Sequence, residues 1–401
     1  MDKIVHYNFL NDIIQKIEDV VEDKKEKEIV WFGSTNYVPI LNTYLWRKGR
    51  NISCVLDNNK NKWEKKVNNF CQFCDSSEFE SLPPEIIVDS PESISDKKNN
   101  IIVFIISRYQ KEMTKQLLDI GVPEGNIICL PKEIDEYVLK KPEIREILTK
   151  YEPIGIEEVK KIQLNILRNF KKYCDENGLE YFLLAGTLLG AVRHKGYIPW
   201  DDDIDVAMPL PDYIKFLNSY PKDGKYRVTD WENDDSYTHQ FARIIDTDTL
   251  AFHNEFPIQI VSGVFIDVFP FAGYPDGEKE RKAKTDENLV LNEMWTEYYC
   301  ARDILSGIED PRAQIMKKKC FEYDYDKSNY VGLIHTQFKE LRWTIEKEKI
   351  TEKTEMMFEG EKYKVPIDYD KCLTLAYGDY MTPPDEKDRV LHSVTAYKKI
   401  K

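Results

Sequence analysis

Short apolar runs separated by amphipathic stretches mark the first third of the chain. Glu28-Ile-Val-Trp-Phe32 runs into Gly33, which predicts a buried strand followed by a turn at Gly33-Ser34-Thr35-Asn36. Tyr37 to Lys48 reads as a helix. Ile52–Leu56 is the next strand and stops at Asp57, and Ile86–Val88, Ile101–Ile106 and Asn126–Leu130 continue the series. A helix across Tyr109–Ile120 is closed by Gly121, a residue suited to the left-handed conformation at a helix end. Strands and helices alternating in this rhythm predict an α/β, Rossmann-like domain with a parallel sheet over residues 1–145.

The pattern changes near Lys141-Pro142, and Tyr151-Glu-Pro153 interrupts the chain. Ile156 to Asn177 then carries Val159, Ile162, Ile166, Phe170 and Tyr173 at three- and four-residue spacings, one face of a long helix that Gly178 stops. A second domain is placed at residues 151–401. Within it, Asp276–Asp326 is highly charged and reads as a helical insertion. No apolar run approaches the ~20 residues of a membrane span. Met1–Leu10 lacks the apolar core of a secretion signal. The expectation is a cytoplasmic protein without an integral membrane segment.

Charge and cysteines narrow the partners. A formal net charge of −14 argues against a nucleic-acid polymer, which is held by net cationic surfaces. It leaves room for a small nucleotide in a local basic pocket. Cys71 and Cys74 form a C-x-x-C pair, but no second pair or His pair stands nearby to complete a zinc site, so reduced thiols are expected. A dinucleotide fingerprint needs three glycines at the first strand–helix turn, and this turn holds one. Asp57 stands where a ribose-binding carboxylate would, yet Asp57-Asn58-Asn59 is equally a plain turn. A structural, regulatory or acceptor-positioning role is the reading for the first domain.

The chemistry concentrates downstream. Tyr181-Phe-Leu-Leu184 is a short buried strand, followed by Ala185-Gly186-Thr187-Leu188-Leu189-Gly190, Arg193-His194-Lys195 and Pro199-Trp200. The segment closes on Asp201-Asp202-Asp203-Ile204-Asp205-Val206. In an extended strand Asp201, Asp203 and Asp205 project to one side, while Ile204 and Val206 face the core. Carboxylates this close repel unless a cation neutralises them, and an all-oxygen set suits magnesium or manganese. Gly186-Thr187, between a strand and a helix start, can bring backbone N–H groups to an anion. Arg193, His194 and Lys195 add cationic donors. An anion cradle followed by a D-x-D strand is what phosphoryl transfer requires.

Ala185 to Met208 resembles the signature of LicD-type phosphotransferases, of the nucleotidyltransferase superfamily and akin to fukutin-related proteins. The resemblance continues through Phe241-Ala-Arg243-Ile-Ile-Asp-Thr247, Gly263-Val-Phe-Ile-Asp267-Val-Phe-Pro270 and Tyr377-Gly-Asp-Tyr-Met381-Thr-Pro-Pro384, with Arg389 and His392 after it. It covers about residues 155 to 400. It implies an α+β nucleotidyltransferase-fold catalytic domain, with Asp203, Asp205 and Asp267 holding the metal and Asp201 as accessory or base. It further implies that Arg243 holds a donor phosphate, with Arg193, Lys195 and Arg389 as further substrate contacts. His194 is a weaker candidate base, because its cationic neighbours disfavour its charged form.

The implied reaction moves a phospho-alcohol group, phosphocholine or a relative, from a CDP-linked donor to a glycan or polyol-phosphate hydroxyl, releasing CMP in cell-surface glycan biosynthesis. A nucleotidyltransferase releasing pyrophosphate would use the same site. A non-catalytic binding or scaffold protein is the reading of another class, and it gives no reason for the carboxylate set. Trp231, Tyr237, Trp295, Tyr298 and Tyr299 are either core or a cation–π cage for a quaternary head group.

Overall fold

The computed structural model describes the chain apart from residues 1–4, 9, 34–37, 68–83, 108, 131–137, 232–236, 238, 256–257, 305–311, 336–340, 387–388, 390–394 and 401. The turn at 34–37, Cys71, Cys74 and His392 therefore lie outside the described residues.

The chain opens with β1 (Val5–Asn8) and α1 (Leu10–Asp23). Then follow β2 (Glu28–Phe32), α2 (Val38–Arg47), β3 (Ile52–Leu56), β4 (Lys66–Val67), β5 (Ile86–Asp89), β6 (Ile101–Ile105), α3 (Gln110–Ile120) and β7 (Ile127–Cys129). Strands β4 to β7 with β2 and β3 form one sheet in the order β4-β5-β3-β2-β6-β7, parallel throughout except at the β4 edge. The strands fall where the apolar runs predict. Strand β6 is buried at every position, as expected of a parallel strand covered on both faces. Alternation sends Ile29, Trp31, Ile102 and Phe104 to one face, with α1 and α2. Val30, Phe32, Val103 and Ile105 go to the other, with Met113 and Leu117 of α3. Gly121 closes α3 at φ +91°, which a side chain would strain.

The remaining elements are α4 (Pro142–Leu148), β8 (Tyr151–Ile154), α5 (Ile156–Asn177), β9 (Phe182–Leu183), α6 (Ala185–Arg193), β10 (Asp205–Pro209), α7 (Leu210–Ser219), β11 (Tyr226–Thr229), β12 (Ala242–Glu255), β13 (Ile258–Tyr274), α8 (Glu278–Ile304) and α9 (Arg312–Cys320). After them come β14 (Tyr330–Leu333), β15 (Thr344–Glu346), α10 (Lys347–Thr351), the hairpin β16 (Lys353–Phe358) and β17 (Glu361–Pro366), α11 (Tyr369–Tyr377) and β18 (Thr395–Lys399). A mixed sheet runs β15-β14-β13-β12-β18-β8, with β1, β10, β9 and β11 joined along it. The fold is thus mixed α/β, with parallel and antiparallel sheets.

Long strands β12 and β13 form its spine, and their register shifts between Asp246 and Ala251. Gly263 faces that shift, where a Cβ would lie 2.2 Å from the Asp246 carbonyl oxygen. Helix α5 packs Ile166, Leu167 and Phe170 into the same core as Ile244, Ile266, Val268 and Val206.

Two readings of the junction change. The segment read as a break is built into the structure. Pro142 opens α4, Val138 and Ile144 pack with Leu250, Phe252 and Val261, and Tyr151–Ile154 pairs with β18. Pro153 is tolerated there because β8 is an edge strand. The first residues also cross over, since Val5–Asn8 pairs antiparallel with Ile258–Val261 of β13 rather than joining the first sheet.

Candidate active site

Strand β13 is flanked by β10 and β12, and one row of residues crosses all three. Asp205 of β10 is in register with Asp267, and Asp267 is in register with Arg243 of β12. Directly opposed residues share a sheet face, so Asp205, Asp267 and Arg243 stand side by side. Arg243 Nε donates to Asp267 Oδ1 at 2.7 Å, with the two side chains only 8% and 11% exposed. The guanidinium carbon lies 4.0 Å from the Phe265 ring centre and 5.7 Å from that of Phe241. Those rings shield the ion pair from water.

The acidic segment departs from the extended strand expected of it. Strand β10 begins at Asp205, and residues 201–204 form a loop, so the ladder fixes alternation only from Asp205 onward. The carboxylates converge all the same. Burial, then Asp205, Asp201 and Asp267, push Asp203 well above the usual carboxylate range. Burial, then Asp267 and Asp201, do the same to Asp205, against a lowering influence of Arg243. Ile204 and Val206 are fully buried. Asp202 is 9% exposed and its carbonyl accepts from Gln163 Nε2.

Helix α6 supplies the next wall. Its first residue, Ala185, has φ +46°, and a Cβ on Gly186 would fall 2.4 Å from Asp201 Oδ2. The Asp201 carboxylate therefore lies over the first turn, where free N–H groups and the helix dipole favour an anion. The cradle expected for substrate holds the protein's own carboxylate. Thr187 is 2% exposed, and its Oγ1 accepts from the Asp205 backbone N–H at 2.9 Å. Its place is under Asp205, as a positioning group.

The basic candidates separate. Arg193 donates from Nε to His194 Nε2 at 2.9 Å and from Nη1 to the Tyr380 carbonyl. Burial, then Arg193, lowers the His194 pKa, so the ring is neutral near neutral pH. The Arg389 guanidinium stacks on Trp200 at 4.2 Å, beside Asp201, and Nη1 lies 3.6 Å from Glu386. Its buried Nε has no hydrogen-bond partner among the described residues. Lys195 is not brought in. It is exposed, at φ +63°, and its Nζ turns back to the Val192 carbonyl.

Tyr377 belongs to the site although its chemistry was not read from the sequence. The residue is 42% exposed overall, but local desolvation of its hydroxyl end and then Asp205, Asp201 and Asp203 push the phenol up. Only the fold brings the end of α11 against the acidic loop. The aromatic cage does not form as an open site. Trp231, Tyr237 and Trp295 are buried, Trp231 meets Trp295 edge-on at 5.1 Å, and Lys317 Nζ stands 5.5 Å from the Trp231 ring. The side chains of Tyr298 and Tyr299 lie outside the described residues.

Does the site fit a divalent cation? Asp203 and Asp205 are hard oxygen donors, crowded enough that their charged forms resist one another. As placed, no three His, Cys, Asp or Glu side chains among the described residues close into a metal cluster. Asp267 spends Oδ1 on Arg243. The donor type is the one such an ion takes, while Asp267 Oδ1 is already engaged by the guanidinium.

Residues 178–301 match the profile described as LicD/FKTN/FKRP, nucleotidyltransferase domain. These residues are a LicD-family domain. The chain is similar to lipopolysaccharide cholinephosphotransferase LicD of Haemophilus influenzae, 29% identical over 275 residues, covering 60% of this chain and 97% of that protein. It is also similar to mannosyltransferase regulator 14 of Saccharomyces cerevisiae, 24% identical over 235 residues, covering 54% of this chain and 21% of that protein. The profile match takes in Gly186, Thr187, the acidic loop, Arg243 and Asp267, so the row across three strands lies inside the LicD-family domain. Among solved structures, a Rex-family repressor overlaps 35% of this chain and 70% of its own at 13% identity and a TM-score of 0.23, too slight to inform the fold. No helix among the described residues is long and apolar enough to cross a membrane.

Proposed function

We propose that this protein is a divalent-metal-dependent phosphotransferase that moves a phospho-alcohol group, phosphocholine or a relative, from a CDP-linked donor to a glycan or polyol-phosphate hydroxyl. The observation that carries the reading is the Asp205–Asp267–Arg243 row with Asp203 beside it, in a domain of the LicD family. The similar Haemophilus protein, a lipopolysaccharide cholinephosphotransferase, supports phosphocholine and a glycan as the first substrates to try.

Asp203 and Asp205, joined by Asp267, would hold magnesium or manganese, which supplies neutralisation of phosphoryl charge when bound. Asp201, the carboxylate nearest the helix start, takes the proton of the acceptor hydroxyl. The acceptor oxygen forms a bond to phosphorus, the bond from phosphorus to the CMP oxygen breaks, and CMP leaves with that electron pair. Arg243, braced by Phe265 and Asp267, faces the phosphoryl oxygens as they gain charge. Arg389, stacked on Trp200, and Arg193, bonded to His194, would orient the donor. The first sheet's strand order supports a Rossmann-like reading of roughly residues 1–145; residues 151–401 are read as a nucleotidyltransferase-fold unit and the protein as cytoplasmic.

The test is incubation with CDP-choline, CDP-ribitol and CDP-glycerol, and in parallel with each NTP, with magnesium and lipooligosaccharide acceptors, reading the nucleotide product and pyrophosphate. CMP with a phosphorylated acceptor is expected. Pyrophosphate from an NTP would turn the reading to nucleotidyl transfer, and neither product across the panel would overturn both.

A further inference from the structure

The acidic loop lacks a ladder to hold its shape, so its anchors can be traced one by one. At its far end Asp267 N–H donates to the Ile204 carbonyl at 2.9 Å, and Asp205 N–H donates to Thr187. At its near end Asp201 N–H donates to Ile198 at 2.9 Å. The middle, Asp202, is anchored by a side chain from another element: Gln163 Nε2, on α5, donates to the Asp202 carbonyl at 2.9 Å. Gln163 is 3% exposed, so water does not replace that bond.

We infer that Gln163 is a positioning residue for the loop Asp201–Ile204, oriented through Tyr197 by the tip of the β16–β17 hairpin. A carbonyl cannot donate, so the amide nitrogen of Gln163 must face Asp202 and its oxygen must face away. That oxygen accepts from the Tyr197 hydroxyl at 3.0 Å. The Tyr197 ring is set against Phe358 at 5.1 Å, and its backbone N–H donates to Glu359 Oε1 at 3.1 Å. Glu359 N–H in turn donates to the Lys195 carbonyl at 3.0 Å. Glu359 has φ +49° at the hairpin tip, and its carboxylate fills the space a Cβ on Gly196 would need, 2.2 Å away.

The relay thus runs from a surface hairpin to the one carbonyl between Asp201 and Asp203. Shifting Asp202 moves both flanking carboxylates. Outer partners that orient ligands in this way typically change metal affinity or activity about 10- to 100-fold when removed.

This inference rests on the loop being the metal- and substrate-bearing segment proposed above, and the test separates the two. Hydrogen exchange read by mass spectrometry over residues 198–206 needs neither metal nor substrate. In the full chain, Gln163→Leu should speed exchange there about tenfold or more, leaving peptides of α5 and β12 unchanged. Manganese affinity, read by electron paramagnetic resonance, should fall about tenfold. Tyr197→Phe keeps the ring and should move both readouts the same way, covering the case in which Gln163→Leu does not fold. Gln163→Glu should resemble Gln163→Leu, because a carboxylate has no proton to donate to Asp202.

Unchanged exchange over 198–206 in Gln163→Leu and Tyr197→Phe overturns the inference. So does faster exchange with wild-type manganese affinity, which would make the relay structural only. Should the wild type bind no manganese while exchange still responds, the metal reading fails and the anchoring of the loop by Gln163 stands.

Discussion

Arg243 holds Asp267 at 2.7 Å from within the sheet, one strand away from the carboxylate of Asp205. A guanidinium so placed neutralises part of the acidic cluster and claims an oxygen that an incoming cation would also use. Arginine is suited to this seat because its charge does not titrate and its planar donors are fixed.

Breaking that pair should be costly. Arg243→Met leaves a nearly buried carboxylate without its partner, and such losses run at about 3–5 kcal/mol. The denaturant midpoint should fall accordingly, and Arg243→Met with Asp267→Asn should recover part of the loss. Strict additivity of the two substitutions would show that the pair is not coupled.

The carboxylates should divide by role. Asp203→Asn and Asp205→Asn keep side-chain shape and remove anionic donors, so kcat should fall about 10²-fold or more, equivalent to ~3 kcal/mol of barrier. Asp202→Asn should keep far more activity, because its anchored group is the backbone carbonyl. Equal inactivity of Asp202→Asn and Asp203→Asn, both folded, would overturn this assignment of ligands.

Metal and pH should act together. Burial and neighbouring carboxylates raise Asp203 and Asp205 above their usual value of 3.8. A carboxyl raised on folding opposes folding once ionised. The penalty is absent below about 3.8, grows as pH climbs through the folded pKa and is full above it. In EDTA, Asp203→Asn should therefore raise Tm at pH 8, with the gain shrinking towards pH 4. Magnesium or manganese should stabilise the wild type more than the variant and restore activity lost to chelation. A gain that grows towards acid would reverse the sign argued here.

Gly186→Ala should separate catalysis from folding. The new methyl would meet Asp201 Oδ2 at 2.4 Å, and a loop carboxylate can swing away where backbone could not. A drop in kcat with little change in Tm is expected. Wild-type kcat would show that Asp201 has no fixed place in the reaction.

Much of this was legible in the sequence because it is local. Apolar runs such as Ile101–Ile105 become strands, and the stop at Gly178 is kept at φ +63°. The carboxylates, Arg243 and Asp267 were legible as residue types in a pattern. Which of them touch was not, because the row across β10, β13 and β12 is a matter of register between strands, Asp205 meeting Asp267 and Asp267 meeting Arg243 across long stretches of chain. The loop at 201–204 escaped for a related reason. Alternation predicts a face only where a ladder enforces it, and here Gln163, Thr187 and Ile198 do the holding. Lys195 looked like a phosphate clamp from its place beside Arg193, but its left-handed backbone directs the side chain to its own helix.

The crossing of Val5–Asn8 onto β13 bears on how the protein can be produced. Those few residues cover the backbone donors and acceptors of Ile258–Val261. A version lacking them, including residues 151–401 expressed alone, would present an uncovered sheet edge, and such edges recruit other chains. Self-association of the truncated protein, relieved by adding back a peptide spanning the first strand, is the expected behaviour.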